Sequence, residues 1–102
     1  MAKIHKFQDD ITKEVANSLK ESIAIDTEAT GLQIPERDKL SLIQICDQNG
    51  NVYIIQPDRK SYKAPNIVSI LENEKILKIG HYLRFDKSAL EYFLKCLHLL
   101  EL

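Results

Sequence analysis

Residues 23–32 read IAIDTEATGL. Three apolar residues, Ile23, Ala24 and Ile25, lead into Asp26; Glu28 stands two positions later, and Ala29-Thr30-Gly31 breaks the run. The apolar start reads as a buried strand. Side chains on a strand alternate with a period of two, so Asp26 and Glu28 share one face near its end. Two like charges side by side repel each other. Some return must come from keeping them there.

Upstream, KIHKF (3–7) suits a short edge strand. DDITKEVANSLKES (9–22) carries Ile11, Val15 and Leu19 four apart behind Asp9 and Asp10, the pattern of a short amphipathic helix whose dipole is complemented at its front. SIAID (22–26) is the first buried strand. Downstream, LQIPERDK (32–39) reads as a polar loop, LSLIQICD (40–47) as a second strand and VYIIQ (52–56) as a third. The QNGN between them holds Asn49-Gly50, a strong hairpin signal. These three strands are expected to form an antiparallel meander. PDRKSYKAP (57–65) is a loop with proline at each end, carrying Arg59, Lys60 and Lys63. NIVSILENE (66–74) spaces Ile67, Ile70 and Leu71 as a helix does, and KILKIGH (75–81) is a fourth strand. Strand, helix, strand predicts a right-handed crossover that lays the fourth strand parallel to an earlier one. RFDKSALEYFLKCLHLLEL (84–102) puts Ala89, Leu90, Phe93, Leu94 and Leu97 on one stripe, a helix running to the last residue. The expected fold class is α/β.

The chain has 102 residues, 44% of them hydrophobic and 28% charged, which suits a single small domain over 1–102. Its net charge is −1, from 14 Lys and Arg against 15 Asp and Glu. No basic excess therefore points to nucleic acid; a polyanionic partner would need local cations or a metal ion. Cys46 and Cys96 form no CxxC pair and read as two reduced, buried thiols. The first ten residues, MAKIHKFQDD, hold no apolar segment of the secretory kind, and no run approaches the ~20 apolar residues of a membrane span. The expectation is a cytoplasmic protein without a membrane partner.

A third acid, Asp86, follows the fourth strand, and functional residues of α/β sheets gather at strand ends. Asp26, Glu28 and Asp86 could meet there if the first and fourth strands are neighbours. Clustered carboxylates are costly unless a cation neutralises them, and hard oxygen ligands suit Mg²⁺ or Mn²⁺. Two such ions ~4 Å apart can clamp a phosphate for in-line attack by water. A lone Asp-x-Glu on a solvated strand end, or a lone Asp in the first turn of a helix, needs no such explanation; the combination is the specific feature.

DTEATGL (26–32) resembles the first motif of the DEDD 3′–5′ exonucleases, and KIGHYLRFDKSAL (78–90) resembles their second, a His a few residues before Phe-Asp. Small bacterial ribonuclease D-like proteins look most similar, with the likeness running from about Ile23 to Phe93. The resemblance implies a ribonuclease H-like core: a three-stranded antiparallel meander plus a parallel strand, flanked by helices. It implies a two-metal 3′–5′ exoribonuclease acting at the 3′ ends of single-stranded RNA in RNA processing. Asp26, Glu28 and Asp86 would be catalytic and hold two divalent cations, Mg²⁺ or Mn²⁺. Thr27, Thr30, Gly31 and Leu32 would lie along the 3′-terminal nucleotide, with Leu32 wedged against a base. His81, Arg84 and Phe85 would lie near the RNA path, although Phe85 suits core packing equally well. The family's third motif, Tyr or His followed by Asp four residues later on a later helix, has no counterpart after Asp86; His5-x-x-x-Asp9 precedes the first motif, and Tyr82-x-x-x-Asp86 reuses an acid already assigned. The chain is therefore expected to correspond to the N-terminal half of such a domain, with an exposed edge at the fourth strand. An inactive remnant with weak metal or nucleic-acid binding is the alternative. DNA as a second substrate, a second chain supplying the third motif, and self-association all stay open.

Overall fold

In the computed structural model, which describes residues 3–30, 39–80 and 83–94 (83–88 by backbone alone), five strands alternate with three helices. They are β1 (Lys3–Gln8), α1 (Lys13–Ser18), β2 (Ser22–Ala29), β3 (Leu40–Cys46), β4 (Asn51–Gln56), α2 (Pro65–Glu72), β5 (Leu77–Ile79) and α3 (Leu83–Leu94). The sheet order is β1-β4-β3-β2-β5. β2, β3 and β4 form the expected antiparallel meander, and β5 adds parallel to β2. β1 is an edge strand as expected, parallel to β4 with Lys3 opposite Asn51. Four strands, β1, β2, β4 and β5, therefore run the same way and finish at the same end of the sheet.

One face of the sheet is dry. Ile25 and Thr27 of β2 lie across from Ile45 and Ile43 of β3, which lie across from Tyr53 and Ile55 of β4, and buried Ile23 continues the row on β2. Ile67, Ile70 and Leu71 of α2 and Ala89, Leu90, Phe93 and Leu94 of α3 join the same core. Residues beyond 94, including Leu97 and Cys96, lie outside the described residues. The opposite face is mixed. Ile4, Leu77 and Ile79 are 62%, 49% and 50% exposed there, and Leu42, Cys46, Val52 and Ile54 are half-buried. Cys46 is thus on the open face and not a buried thiol. Among the described residues no helix is long and apolar enough to cross a membrane.

The first helix departs from the sequence expectation. α1 spans six residues only, from a Thr12 N-cap whose hydroxyl accepts from Val15 N–H to an extended Leu19. Ile11 and Leu19 flank it and still reach the core. Asp10 does not serve α1. Its carboxylate accepts the N–H groups of Asn66 and Ile67 at 2.8 and 3.0 Å, in the first turn of α2, and that of Ile11 at 2.9 Å. The N-cap residue of α2, Ala64, has no side-chain oxygen to offer, so Asp10 supplies a cap from elsewhere in the chain. Asn66 adds an amide donated to the Ile11 carbonyl at 2.9 Å. Asp9, just before, sits at φ 72°, a left-handed conformation that Asp tolerates better than most residues.

The β3–β4 hairpin turns over residues 47–50. The Asp47 carboxylate accepts Asn49 N–H, Asn51 N–H and the Asn51 side-chain amide at 2.8–2.9 Å, and Gly50 takes φ 85°. At the other end of α2 a lysine does the work of a C-cap. Lys78 on β5 is 3% exposed, paired with Ile23, and its Nζ donates to the Asn73 carbonyl at 2.6 Å. Burial pushes its ammonium below the ordinary lysine range, with Glu74 pulling the other way.

Asp10→Ala removes three accepted hydrogen bonds and is expected to cost about 1–3 kcal/mol, with Asp10→Asn costing less because one carboxyl oxygen equivalent remains; urea unfolding measures both. Lys78 titrates lower folded than unfolded, so the unfolded chain holds more protons and stability rises as pH climbs toward 10.5. The difference in stability between the parent and Lys78→Met is expected to shift in the parent's favour over that window, and a pH-independent difference would contradict this.

Candidate active site

β2 is longer than its neighbour β5. The pairing of the two stops at Ala24 opposite Ile79, so β2 runs on past the end of β5, paired there with β3. Asp26 and Glu28 lie on that overhanging part. Both are exposed and face the side opposite Ile25 and Thr27, as strand alternation requires. The chain leaving β5 passes through Gly80 and enters α3 at Leu83, so Asp86 lies in the first turns of a helix that starts where β5 stops and packs against β2 and β3. The side chains of residues 83–88, Arg84, Phe85 and Asp86 among them, lie outside the described residues, as do Gly31, Leu32 and His81.

The two described carboxylates are poorly compensated. Asp26 accepts the N–H of Thr27 at 3.0 Å through Oδ1, and among the described residues neither acid has a cation at ion-pairing distance. Two residues of strand separate them by ~6.6 Å, where like charges in water repel by roughly half a kcal/mol. Exposed hard oxygens without a protein cation fit a divalent ion such as Mg²⁺ or Mn²⁺. Among the described residues no group of three or more potential metal ligands converges.

Thr27 is 9% exposed and turned into the core, so only its main chain can meet a ligand. Just past Glu28 the register shifts between Glu28 and Ala29, where Ala29 pairs with Leu40. Thr30 then closes the strand end against Lys39, its N–H donating to the Lys39 carbonyl and its hydroxyl accepting the Lys39 N–H, both at 3.0 Å. Ser41 donates to the Glu28 carbonyl at 3.0 Å. These bonds fix the backbone carrying the acids from the β3 side.

Tyr62 is the residue at this end that sequence reading missed. It is 8% exposed, donates its hydroxyl to the Leu40 carbonyl at 3.0 Å and lies 4.7 Å, centroid to centroid, from Phe93 of α3. Burial raises its phenol pKa, with Arg59 opposing. A loop tyrosine flanked by lysines carries no sequence signal for such a role. A groove of about 360 Å³ opens beside it, lined by Ala64, Pro65, Val68, Phe93 and Leu94 on the helix side of the sheet.

The strand order, the overhanging Asp-x-Glu and the helix bearing the third acid are those of a nuclease domain. A family model for the 3′–5′ exonuclease domain matches residues 3–99, and the chain belongs to that family. Its sheet and helices have the ribonuclease H-like exonuclease fold. A nuclease solved in its apo form is 36% identical with a TM-score of 0.86, over 94% of this chain and 46% of that one. Brucella melitensis NrnC, solved with bound Mg²⁺, is 34% identical with a TM-score of 0.84 over the same shares; NrnC is also solved bound to pGG. Trypanosoma brucei RNase D, in complex with RNA U12, is 24% identical with a TM-score of 0.63 over 89% of this chain and 35% of that one, a likeness of fold. The chain thus spans a little under half the length of the nucleases it matches first. Comparison with curated protein sequences found no match.

If the carboxylates serve a ligand and not the fold, Asp26→Asn or Glu28→Gln leaves the metal-free chain within about 0.5 kcal/mol of the parent, on the stable side because repulsion is relieved. A loss above ~1 kcal/mol in urea would mark the carboxylates as structural.

Proposed function

We propose that this chain is the part of a metal-dependent 3′–5′ exoribonuclease that carries the first two acidic motifs. In this reading Asp26, Glu28 and Asp86 hold two divalent cations, Mg²⁺ or Mn²⁺, against the terminal phosphodiester of single-stranded RNA. The observation that carries it is the overhang of β2 beyond the end of β5: two exposed, uncompensated carboxylates on the strand against which the helix that bears Asp86 packs. When bound, the cations would polarise the phosphate and lower the pKa of the attacking water. Asp26 and Glu28 present oxygens from one strand face, and the bonds of Thr30 and Ser41 hold that strand in place. The main chain of Thr27 and Thr30, with Gly31 and Leu32, would lie along the last nucleotide, and His81, Arg84 and Phe85 along the strand leading to it. RNA is favoured as the substrate by the NrnC complex with pGG and the RNase D complex with RNA U12.

A second reading applies to the chain by itself. After Asp86 the sequence contains no Asp, so no Tyr-x-x-x-Asp or His-x-x-x-Asp follows. The group that would position the attacking water is then supplied by another polypeptide segment or is lacking, and the isolated chain binds metal without turnover.

Incubation of the 102-residue chain with Mn²⁺ and a 5′-labelled single-stranded RNA, with thermal melts in parallel, separates the readings. Mn²⁺ is expected to raise the melting temperature of the parent and not of Asp26→Ala. Shortening from the 3′ end, lost in Asp26→Ala, means that the two motifs suffice for turnover. A metal response without shortening supports the second reading. No metal response at all would sink both.

A further inference from the structure

Beyond the acids, the same end of the sheet carries a compact basic turn. β4 ends at Gln56, and residues 58–63 fold back on themselves before α2. The Asp58 carboxylate accepts the N–H of Lys60 at 3.1 Å and the hydroxyl of Ser61 at 2.8 Å; its carbonyl accepts Tyr62 N–H at 2.7 Å. Hydrogen bonds from the Ser61 hydroxyl and the Lys60 N–H hold Asp58 below the usual carboxylate range, and Tyr62 closes the turn with a left-handed φ of 52°. Arg59, Lys60 and Lys63 all point to solvent from it. Among the described residues none of the three has an ion-pair partner.

Tyr62 anchors this turn to the acid-bearing strand. Its hydroxyl reaches the Leu40 carbonyl, and Leu40 pairs with Ala29, the residue after Glu28. The anchor therefore ends about one strand spacing, ~5 Å, from β2. Exposed Lys39, the residue before Leu40, is tied to Thr30. Four exposed cations thus fall at the end of the sheet where β2 and β4 finish, with the Asp58 carboxylate in the same turn, in a chain whose net charge is −1. Of the other exposed lysines, Lys3, Lys20 and Lys75 lie at the opposite end, at the start of β1 and before β2 and β5; Lys6 lies within β1 and Lys13 follows its end.

We infer that Arg59, Lys60 and Lys63, with Lys39, form a phosphate-binding rim for the nucleic-acid backbone on the 5′ side of the terminal nucleotide. This inference rests on the exonuclease reading for the direction of the strand. The rim supplies the local positive charge that the overall composition lacks. It draws the polyanion to an edge where two carboxylates would otherwise repel it, and its contacts are to phosphates, so they position the strand without reading sequence. A turn braced by Asp58 and Tyr62 presents these cations at less entropic cost than three lysines on a loose loop.

The test is fluorescence anisotropy with a labelled single-stranded RNA of about a dozen nucleotides, in Ca²⁺, across a salt series. The parent is compared with a triple variant, Arg59→Ala with Lys60→Ala and Lys63→Ala, and with an opposite-end triple, Lys3→Ala with Lys20→Ala and Lys75→Ala. The rim variant is expected to bind about tenfold more weakly at low salt, with a salt slope shallower by about 2 for three lost phosphate contacts, while the opposite-end variant changes little. Equal losses in both variants, or none in the rim variant, overturn the rim. Absence of RNA binding by the parent also overturns it; if Mn²⁺ still stabilises that parent through Asp26, the metal reading survives, and if it does not, both fall together.

Discussion

The position of α2 rests on a carboxylate that belongs to another part of the chain. Asp10 leaves β1, turns through a left-handed Asp9 and places both its oxygens on the opening N–H groups of α2, whose own N-cap is an alanine. A buried helix start without a cap would leave strong donors unsatisfied. The contact also fixes where the connection from β4 must arrive, and therefore where the turn at residues 58–63 sits. At the far end of α2 the Lys78 ammonium takes the Asn73 carbonyl. One negative group from just past β1 and one positive group from within β5 hold the helix with the polarity that its dipole favours. The crossover that brings β5 beside β2, and with it α3 against β2, follows from that placement.

The sequence was most legible where periodicity and burial agree. Ile67, Ile70 and Leu71 announced α2, and Ile23, Ile25, Ile43 and Ile45 announced the central strands. The Asp-x-Glu pair stood out because an apolar run ended in two charges on one face, and the structure leaves both exposed. Other features depended on partners distant in sequence. Ile11, Val15 and Leu19 have helical spacing, yet the helix closes after six residues because Ile11 and Leu19 reach the core from its flanks. Asp9 and Asp10 look like the acids of that helix, and the one that caps anything caps α2. In β5 the hydrophobic residues Leu77 and Ile79 face outward while Lys78 lies inside, the reverse of what side-chain hydropathy suggests. No local pattern announces a lysine that finds a helix carbonyl.

The two faces of the sheet divide the labour. The dry face, with its isoleucines and two helices, supplies the burial that holds the domain together. The mixed face accepts the electrostatic cost of Asp26 and Glu28 because water reaches it. Placing the acids on the dry face would have cost their hydration and removed them from a metal's reach. Strand alternation makes this separation automatic: one-residue slips in β2 would exchange Ile25 and Thr27 for the acids, so the core enforces the register that the site needs.

The pairing of β1 with β4 has a consequence for the order of assembly. Lys3 finds Asn51, His5 stacks on Tyr53 and bonds Asn51, and Asp10 bonds Asn66 and Ile67. None of these partners exists when the first strand emerges during synthesis. The β3–β4 hairpin can close early through its own Asp47 turn, whereas β1 waits as an unpaired strand until that hairpin presents an edge. β1 is made before β4 and secured after it, and the rate at which β4 appears sets how long an open strand persists on the nascent chain.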